Sequence, residues 1–578
     1  MAPGSDSTRT RLPVVLLWHM HQPQYRDGLT GRYVLPWTYL HAIKDYTDMA
    51  AHLEAVPQAR AVINFTPVLL EQLDELGTRV HDHLGSGAPL PDPVLALLAP
   101  DPLPAAPAER LALLRACLRA QRQQMIERFG PYLELAGIAE SLATEARIEY
   151  ASDQLLRDLG VWYHIAWMGE TVRRSDDRIA ALAEQARGFT AAQRRELLAL
   201  IGDLLAGIIP RYRRLAQSGQ CELAVSPYSH PILPLLMDFR AARESLPSAP
   251  LPKSPAYPGG AARAEWQVRE SIRVFRRYFG MTPQGCWPSE GAISTATLEL
   301  LDREGFRWAA SSANVLRASL AGAAGAAGAA GTAEDPAAYH RPYRLAGGRL
   351  ACFFRDDGLS DRIGFNYSSW HGDDAAQNLA HELAQLAGGY AGGGGSRHAV
   401  LIALDGENAW EHYPFNGYYF LRALYAALAS HPQLELTTLS DCLARGIEVQ
   451  PLERVVAGSW VHGTLSTWMG DPAKNIGWDL LADAKHAYDE SRPAALTAEH
   501  RTRLEQQLAL CESSDWFWWF GDYNPPEAVS QFDQLYRRQL VNLYQLLGRP
   551  APARLAQAIS VGHGAMEHGG VMRRAFAT

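Results

Sequence analysis

Ala399-Val400-Leu401-Ile402-Ala403-Leu404-Asp405-Gly406-Glu407 is an apolar run that opens into two acids. It reads as a buried strand, and its end would stand at the mouth of an α/β barrel, where such folds keep their catalytic groups. Burial and a like charge at that place can keep one carboxyl protonated near neutrality. Asp405 and Glu407 share a strand parity, so either is able to face a cleft. The adjacent Trp410, His412, Tyr413 and Phe415 weaken the alternative of a plain solvated turn.

A second acid has the same setting. In Gly285-Cys286-Trp287-Pro288-Ser289-Glu290 a short strand meets a proline, which has no N–H to continue it, and the turn can project Glu290 into a cleft. A glutamate held at a helix N-terminus is the competing reading. Two acids delivered from two strand ends are the minimum equipment for cleaving a glycosidic bond.

Runs rich in strand-forming residues recur at 12–19, 61–65, 222–225, 285–287, 308–311, 350–354 and 399–404, separated by segments of helical period. One of these, 265–279, brings Trp266, Ile272, Phe275 and Phe279 near one face, stops at Gly280 and leads straight into the Glu290 strand. That α-then-β step builds parallel sheets. The Ala-, Leu-, Arg- and Gln-rich stretch 108–219 is expected to be a helical insert walling the cleft. The Ala/Gly tracts 321–337 and 388–395 are expected to be flexible surface loops. Beyond about 451 the chain turns Trp-rich and helical, with helices expected at 480–488, 498–511 and 529–547. The expected division is therefore a disordered start over 1–11, a barrel over 12–450 and a helical region over 451–578 that contributes to the cleft.

With 578 residues, 47% apolar content and a net charge of −8, the chain is long enough for more than one core and carries no basic stripe for nucleic acid or anionic membrane. The six cysteines lack CxxC spacing and read as reduced thiols, and the polar start offers no signal-peptide core, so the expected location is cytoplasmic. A neutral substrate fits best.

Further candidates lie at strand ends. His19 and His21, at i and i+2, point to one side and are suited to sugar hydroxyls or, with a third ligand, to zinc. Glu222 and His230 flank the 222–225 strand. Asp356, Asp357 and Asp361 follow the 350–354 strand and are suited to hydroxyls. Most of the late aromatics, including 516–520, read as core. Trp468, in a Gly/Ser/Thr context, reads as a loop platform for a sugar ring.

Taken in order, His21-Gln22-Pro23, Gly219-Gln220-Cys221-Glu222-Leu223, Trp287-Pro288-Ser289-Glu290, Asp405-Gly406-Glu407 and the Trp-containing segment after Trp460 resemble the five sequence regions of glycoside hydrolase family 57. The resemblance runs over nearly the whole chain. It implies an α/β fold, an incomplete (β/α)7 barrel with helical insertions followed by a C-terminal helical bundle, acting with retention on α-glucans. It gives Glu290 the part of nucleophile and Asp405 that of acid/base, with His21, Glu222 and Trp468 as substrate-site positions; His19, His230, Trp287, Asp356, Glu407 and Trp410 join them as substrate-site candidates by their places near the strand ends. It calls for no metal and no cofactor, and its partner is an oligo- or polysaccharide. Past Glu407 the sequence Asn408-Ala409-Trp410-Glu411-His412 departs from several well-known members and looks closer to an α-amylase-like branch. Hydrolysis, 4-α-glucanotransfer and branching all remain open at this level. So do a zinc-dependent hydrolase built on His19 and His21, and a non-catalytic glucan-binding protein.

Overall fold

The computed structural model describes residues 11–324, 336–390, 397–492, 496–565 and 571–575. Among the described residues ten strands form one sheet: β1 (Leu12–Met20), β2 (Ala61–Phe65), β3 (Cys221–Val225), β4 (Gly285–Cys286), β5 (Trp308–Ser312), β6 (Tyr343–Leu345), β7 (Ala351–Arg355), β8 (Val400–Asp405), β9 (Leu434–Leu436) and β10 (Gln450–Leu452). Seven of them close a parallel ring in the order β1-β2-β3-β4-β5-β7-β8 and back to β1. These are the seven runs expected from sequence. β6 pairs antiparallel with β7 outside the ring, and β9 adds to β1.

Strand parity divides the ring's interior into layers. Val15, Leu17, Val62, Ala224, Trp308, Ala310, Phe353, Leu401 and Ala403 point inward and form a closed apolar core, plugged at the N-terminal end by Leu439, Cys442 and Ile447. A fully buried aliphatic side chain of this kind contributes roughly 1.5–3 kcal/mol. One step further along each strand the inward residues turn polar: His19, Asn64, Ser226, Ser312, Arg355 and Asp405. The register puts His19 beside both Asn64 and Asp405. Gly285 is needed where the Trp308 indole crosses the ring, because a Cβ there would fall 1.8 Å from Trp308 Cε2.

A larger core lies between the ring and its helices. The insert between β2 and β3 is helical as expected, ending in the 27-residue helix Ala191–Gln217, which packs along Pro67–Ser86. The helix before β4 runs Gly260–Phe279 and closes on Gly280 at φ 71°. The later helices are Pro472–Glu490, Ala498–Cys511, Ser514–Trp519 and Pro526–Leu546.

The two Ala/Gly tracts are corrected in part. Helices Ala313–Ala324 and Gly372–Tyr390 extend into them, since Ala propagates a helix already started, while 325–335 and 391–396 lie outside the described residues. The expected disordered start likewise falls outside them except at Arg11. All six cysteines are free and buried. No helix among the described residues is long and apolar enough to cross a membrane.

Candidate active site

A cavity of about 350 Å³ opens at the C-terminal end of the ring. Its polar floor holds Glu290, Asp405, Glu407, His19, His21 and His230, so both strand-end acids and the histidines expected from sequence meet in one place. Its walls come from the insert (Arg119, Gln121, Trp167) and from the late helical region (Trp460, Asp515, Trp518, Trp519).

Pro288 ends β4, and the next turn carries Glu290 at φ 58°, ψ 23°, in the left-handed region a glutamate rarely adopts. Such a conformation costs about 1–3 kcal/mol and clusters at functional sites. His230 (φ 66°) does the same after β3. Glu290 Oε2 accepts a hydrogen bond from Trp460 Nε1 at 2.8 Å, and Oε1 stands 4.0 Å from His230 Nδ1. Asp405 Oδ2 accepts from Asn408 Nδ2 at 2.9 Å. Gly406 leaves the strand beneath Met20, whose Sδ would sit 2.1 Å from a Cβ at that position.

The two carboxyls titrate as a pair. Burial, then the Asp405 charge, push Glu290 up to about 8, against the opposing hydrogen bond from Trp460. Burial pushes Asp405 up to about 6, opposed by Asn408 and then by His21 and Arg355. Between these values the dyad holds one proton, and the two steps belong to the pair.

The histidines are held by a relay. His19 Nδ1 donates to Asn64 Oδ1 at 2.6 Å, which leaves its Nε2 to accept from His230 Nε2 at 3.1 Å, while His230 Nδ1 accepts from Ser514 Oγ at 2.9 Å. Burial, then the neighbouring His21, push His19 down to about 3 and hold His230 well below its ordinary value, so both are neutral hydrogen-bonding groups. His21 bonds Thr66 Oγ1 and Asp515, each at 3.0 Å, and its ring stacks on His230 with centroids 3.8 Å apart. The alternative zinc reading paired His19 with His21, and the structure groups the residues differently. His19 Nε2 is engaged by His230, and the three residues whose ligand-capable atoms all lie within 4.8 Å of one another are His21, His230 and Asp515.

Glu407 is 1% exposed. Its Oε1 accepts from the His21 amide at 3.1 Å and from Gln22 Nε2 at 3.3 Å, and its Oε2 has no hydrogen-bond partner among the described residues. Burial, then the Asp405 charge, raise it well above the ordinary carboxyl range.

Five expected site positions lie elsewhere. Glu222 points into the ring at the wrong end, where Trp308 Nε1 and Ser440 occupy its carboxylate at 2.5–3.0 Å. Trp287 is fully buried inside the ring, under His19 and Trp460. Trp410 is buried against Trp18 and donates to the Gly406 carbonyl. Asp356 caps the helix Asp357–Asp361 and bonds His340. Trp468 is fully buried behind Trp518, its indole ring 6.0 Å away. From the late region, Trp460 reaches the cavity, and so do Trp518 and Trp519 of the run read as core. Asp361, one of the acids expected to meet hydroxyls after the 350–354 strand, lines it, and so do Asp515 and Arg355, which the sequence reading did not pick out. The Ser513-Ser514-Asp515 start of a short aromatic helix was the available signal for Asp515.

The chain belongs to glycosyl hydrolase family 57, whose family model matches residues 15–456. It is thus a glycoside hydrolase by family, with an oligo- or polysaccharide as substrate. Among solved structures it resembles a branching enzyme of this family from Pyrococcus horikoshii (16% identity, 98% of this chain and all of that one, TM-score 0.55). It also resembles one from Thermococcus kodakaraensis (15% identity, 93% and 90%, TM-score 0.56) and the α-amylase AmyC from Thermotoga maritima (13% identity, 94% and 96%, TM-score 0.54). At these identities the likeness is one of fold. Among curated proteins there is no match.

Proposed function

We propose that the protein acts on α-1,4-linked glucans with retention of configuration, Glu290 attacking the anomeric carbon while Asp405 protonates the leaving oxygen. Asp405 then deprotonates the incoming water, or a sugar hydroxyl in transfer. The carrying observation is that two strand-end carboxyls, both raised by burial and coupled to each other, share one cleft with aromatic walls. An acid raised toward neutrality can give a proton, and its partner, once ionised, can attack.

The roles require the proton shared by the pair to stand on Asp405 when sugar binds. Two features favour that placement: Trp460 Nε1 stabilises the Glu290 anion, and a glycosidic oxygen accepting from Asp405 stabilises its neutral form. Neutral His19 and His230, with both ring nitrogens of each engaged, brace the floor of the cleft, and Trp518 and Trp519 are suited to the apolar face of a pyranose ring. In this reading the barrel over 12–450 supplies the chemistry and the region from 451 supplies the sugar platforms. α-Glucan as substrate is favoured by the branching enzymes and the amylase that the fold resembles.

Azide added to alanine variants distinguishes the two carboxyls. D405A is expected to give a glycosyl azide of retained configuration and E290A one of inverted configuration; the reverse assignment would exchange the roles. Products from maltoheptaose separate the reactions: shorter chains alone mean hydrolysis, while longer chains mean transfer. The His21, His230 and Asp515 grouping keeps one competing reading measurable. Stoichiometric zinc in the purified protein, with inactivation by a chelator, would replace the double displacement with metal-assisted chemistry.

A further inference from the structure

The segment Val571–Ala575 lies beyond the family match and returns to the barrel mouth. Ala575 is fully buried and is gripped at both backbone groups: its N–H donates to Asp361 Oδ2 at 2.8 Å, and its carbonyl accepts from the His462 amide at 3.1 Å and Asn314 Nδ2 at 3.2 Å. These contacts tie the segment to the residues following β5, to those following β7 and to the loop after Trp460. Asp361 is itself fixed by Arg355, which also lines the cavity. His462, which holds Ala575, takes a left-handed backbone at φ 57°.

Val571, Met572 and Arg573 thereby become cavity wall. The Arg573 guanidinium lies 4.4 Å from the centre of the Trp518 ring and 4.6 Å from that of Tyr523, while its hydrogen bonds to the Trp518 carbonyl and Asn524 Oδ1 are long, at 3.4 Å each. Stacking therefore holds it more than hydrogen bonding does. It covers one side of an indole that also reaches the cavity.

We infer that Val571–Ala575 is a strap forming part of the substrate site, in which Arg573 is a positioning residue that fixes Trp518 as a sugar platform and sets a cation near Glu290. The inference rests on the α-glucan reading above. The groups that face Glu290 are Asp405 on β8, Asp515 at the start of Ser514–Trp519, His230 after β3 and Arg573 on the strap. The two carboxylates hold the Glu290 proton on and Arg573 opposes them, so losing the arginine makes Glu290 a weaker acid.

The test compares wild type with R573A, R573K and a chain lacking residues 571–578, using maltoheptaose. R573A is expected to raise KM roughly tenfold through the lost stack. It is also expected to move the alkaline limb of kcat/KM upward by roughly half a pH unit or more. R573K keeps the charge, so it should leave the limb in place while KM rises. The shortened chain should reproduce both effects of R573A. Loss of folded enzyme alone would lower kcat without moving the limb, and that outcome overturns the positioning role. So does R573A matching wild type in KM and limb while E290A remains inactive. A wild type without action on any α-glucan instead removes the reading beneath the inference, and the inference with it. Hydrogen exchange over 571–578 reads the docking without substrate: rates of a free peptide would overturn the strap.

Discussion

Two ends of one barrel treat an inward-pointing acid in opposite ways. At the N-terminal end Glu222 points inward and has its carboxylate filled by Trp308 Nε1, Ser440 Oγ and the Ser440 amide. At the C-terminal end Glu290 has one oxygen held by Trp460 and the other turned toward His230 at 4.0 Å, and it lines the cavity. The residue type is the same. A carboxylate whose lone pairs are all engaged by fixed donors is a structural brace, whereas one left partly unsatisfied in a pocket keeps a perturbed proton affinity and is available for chemistry.

The sharpest way to break this contrast is to remove the open acids. E290A is expected to lower kcat on α-glucans by about 10⁴-fold or more, and D405A by about 10²–10⁴-fold with leaving groups that need protonation. Steady-state kinetics on maltoheptaose reads both. Activity within tenfold of wild type in E290A would end the assignment.

Glu407 lies between the two extremes, with one oxygen engaged and one bare. E407Q keeps a carbonyl oxygen that can accept from the His21 amide and should stay within a few-fold of wild type. E407A frees the strand end that carries His21 and should cost about 10–100-fold in kcat/KM, as loss of a supporting partner does elsewhere. Equal losses in the two variants would mean that the Glu407 proton, and not its carbonyl, matters.

The pH profile sharpens the same contrast. Below about 6 both members of the dyad are protonated and there is no nucleophile; above about 8 both are ionised and there is no acid. kcat/KM is therefore expected to be bell-shaped with limbs near these values, falling tenfold per pH unit outside them. A profile flat from pH 5 to 9 would show that the burial of the pair is not felt by the working enzyme.

Much of this architecture was legible in the chain because apolar runs, their boundaries and the intervening helical period carry local information. All seven ring strands lie within a residue or two of their expected bounds. Depth along the barrel axis was legible too. Glu222 opens its strand and Asp405 closes its own, which in a parallel ring puts them at opposite ends; Glu222 was placed in the site by motif resemblance against this positional signal. Trp468 was misplaced for another reason: a Gly/Ser/Thr neighbourhood marks a loop, yet here the loop packs under Trp518. Asp515, 494 residues from the His21 it bonds, is brought there by tertiary packing that no local pattern encodes.

The smallest expected effect on catalysis is the most pointed test of the contrast. E222A removes the acceptor for an indole N–H, a hydroxyl and a backbone amide at the plugged end of the barrel, and each donor left bare there costs about 1–3 kcal/mol. Thermal unfolding should therefore register the change clearly, with E222Q intermediate because its carbonyl still accepts. The cavity is untouched, since Glu222 is not among its lining residues and the apolar layer of Leu17, Val62 and Ala224 separates the two ends. Per folded molecule, kcat and KM at a temperature well below unfolding are expected to match wild type. A loss of kcat comparable to that of D405A, at unchanged stability, would mean that the lower acid communicates with the cleft and that the division between brace and reagent is drawn in the wrong place.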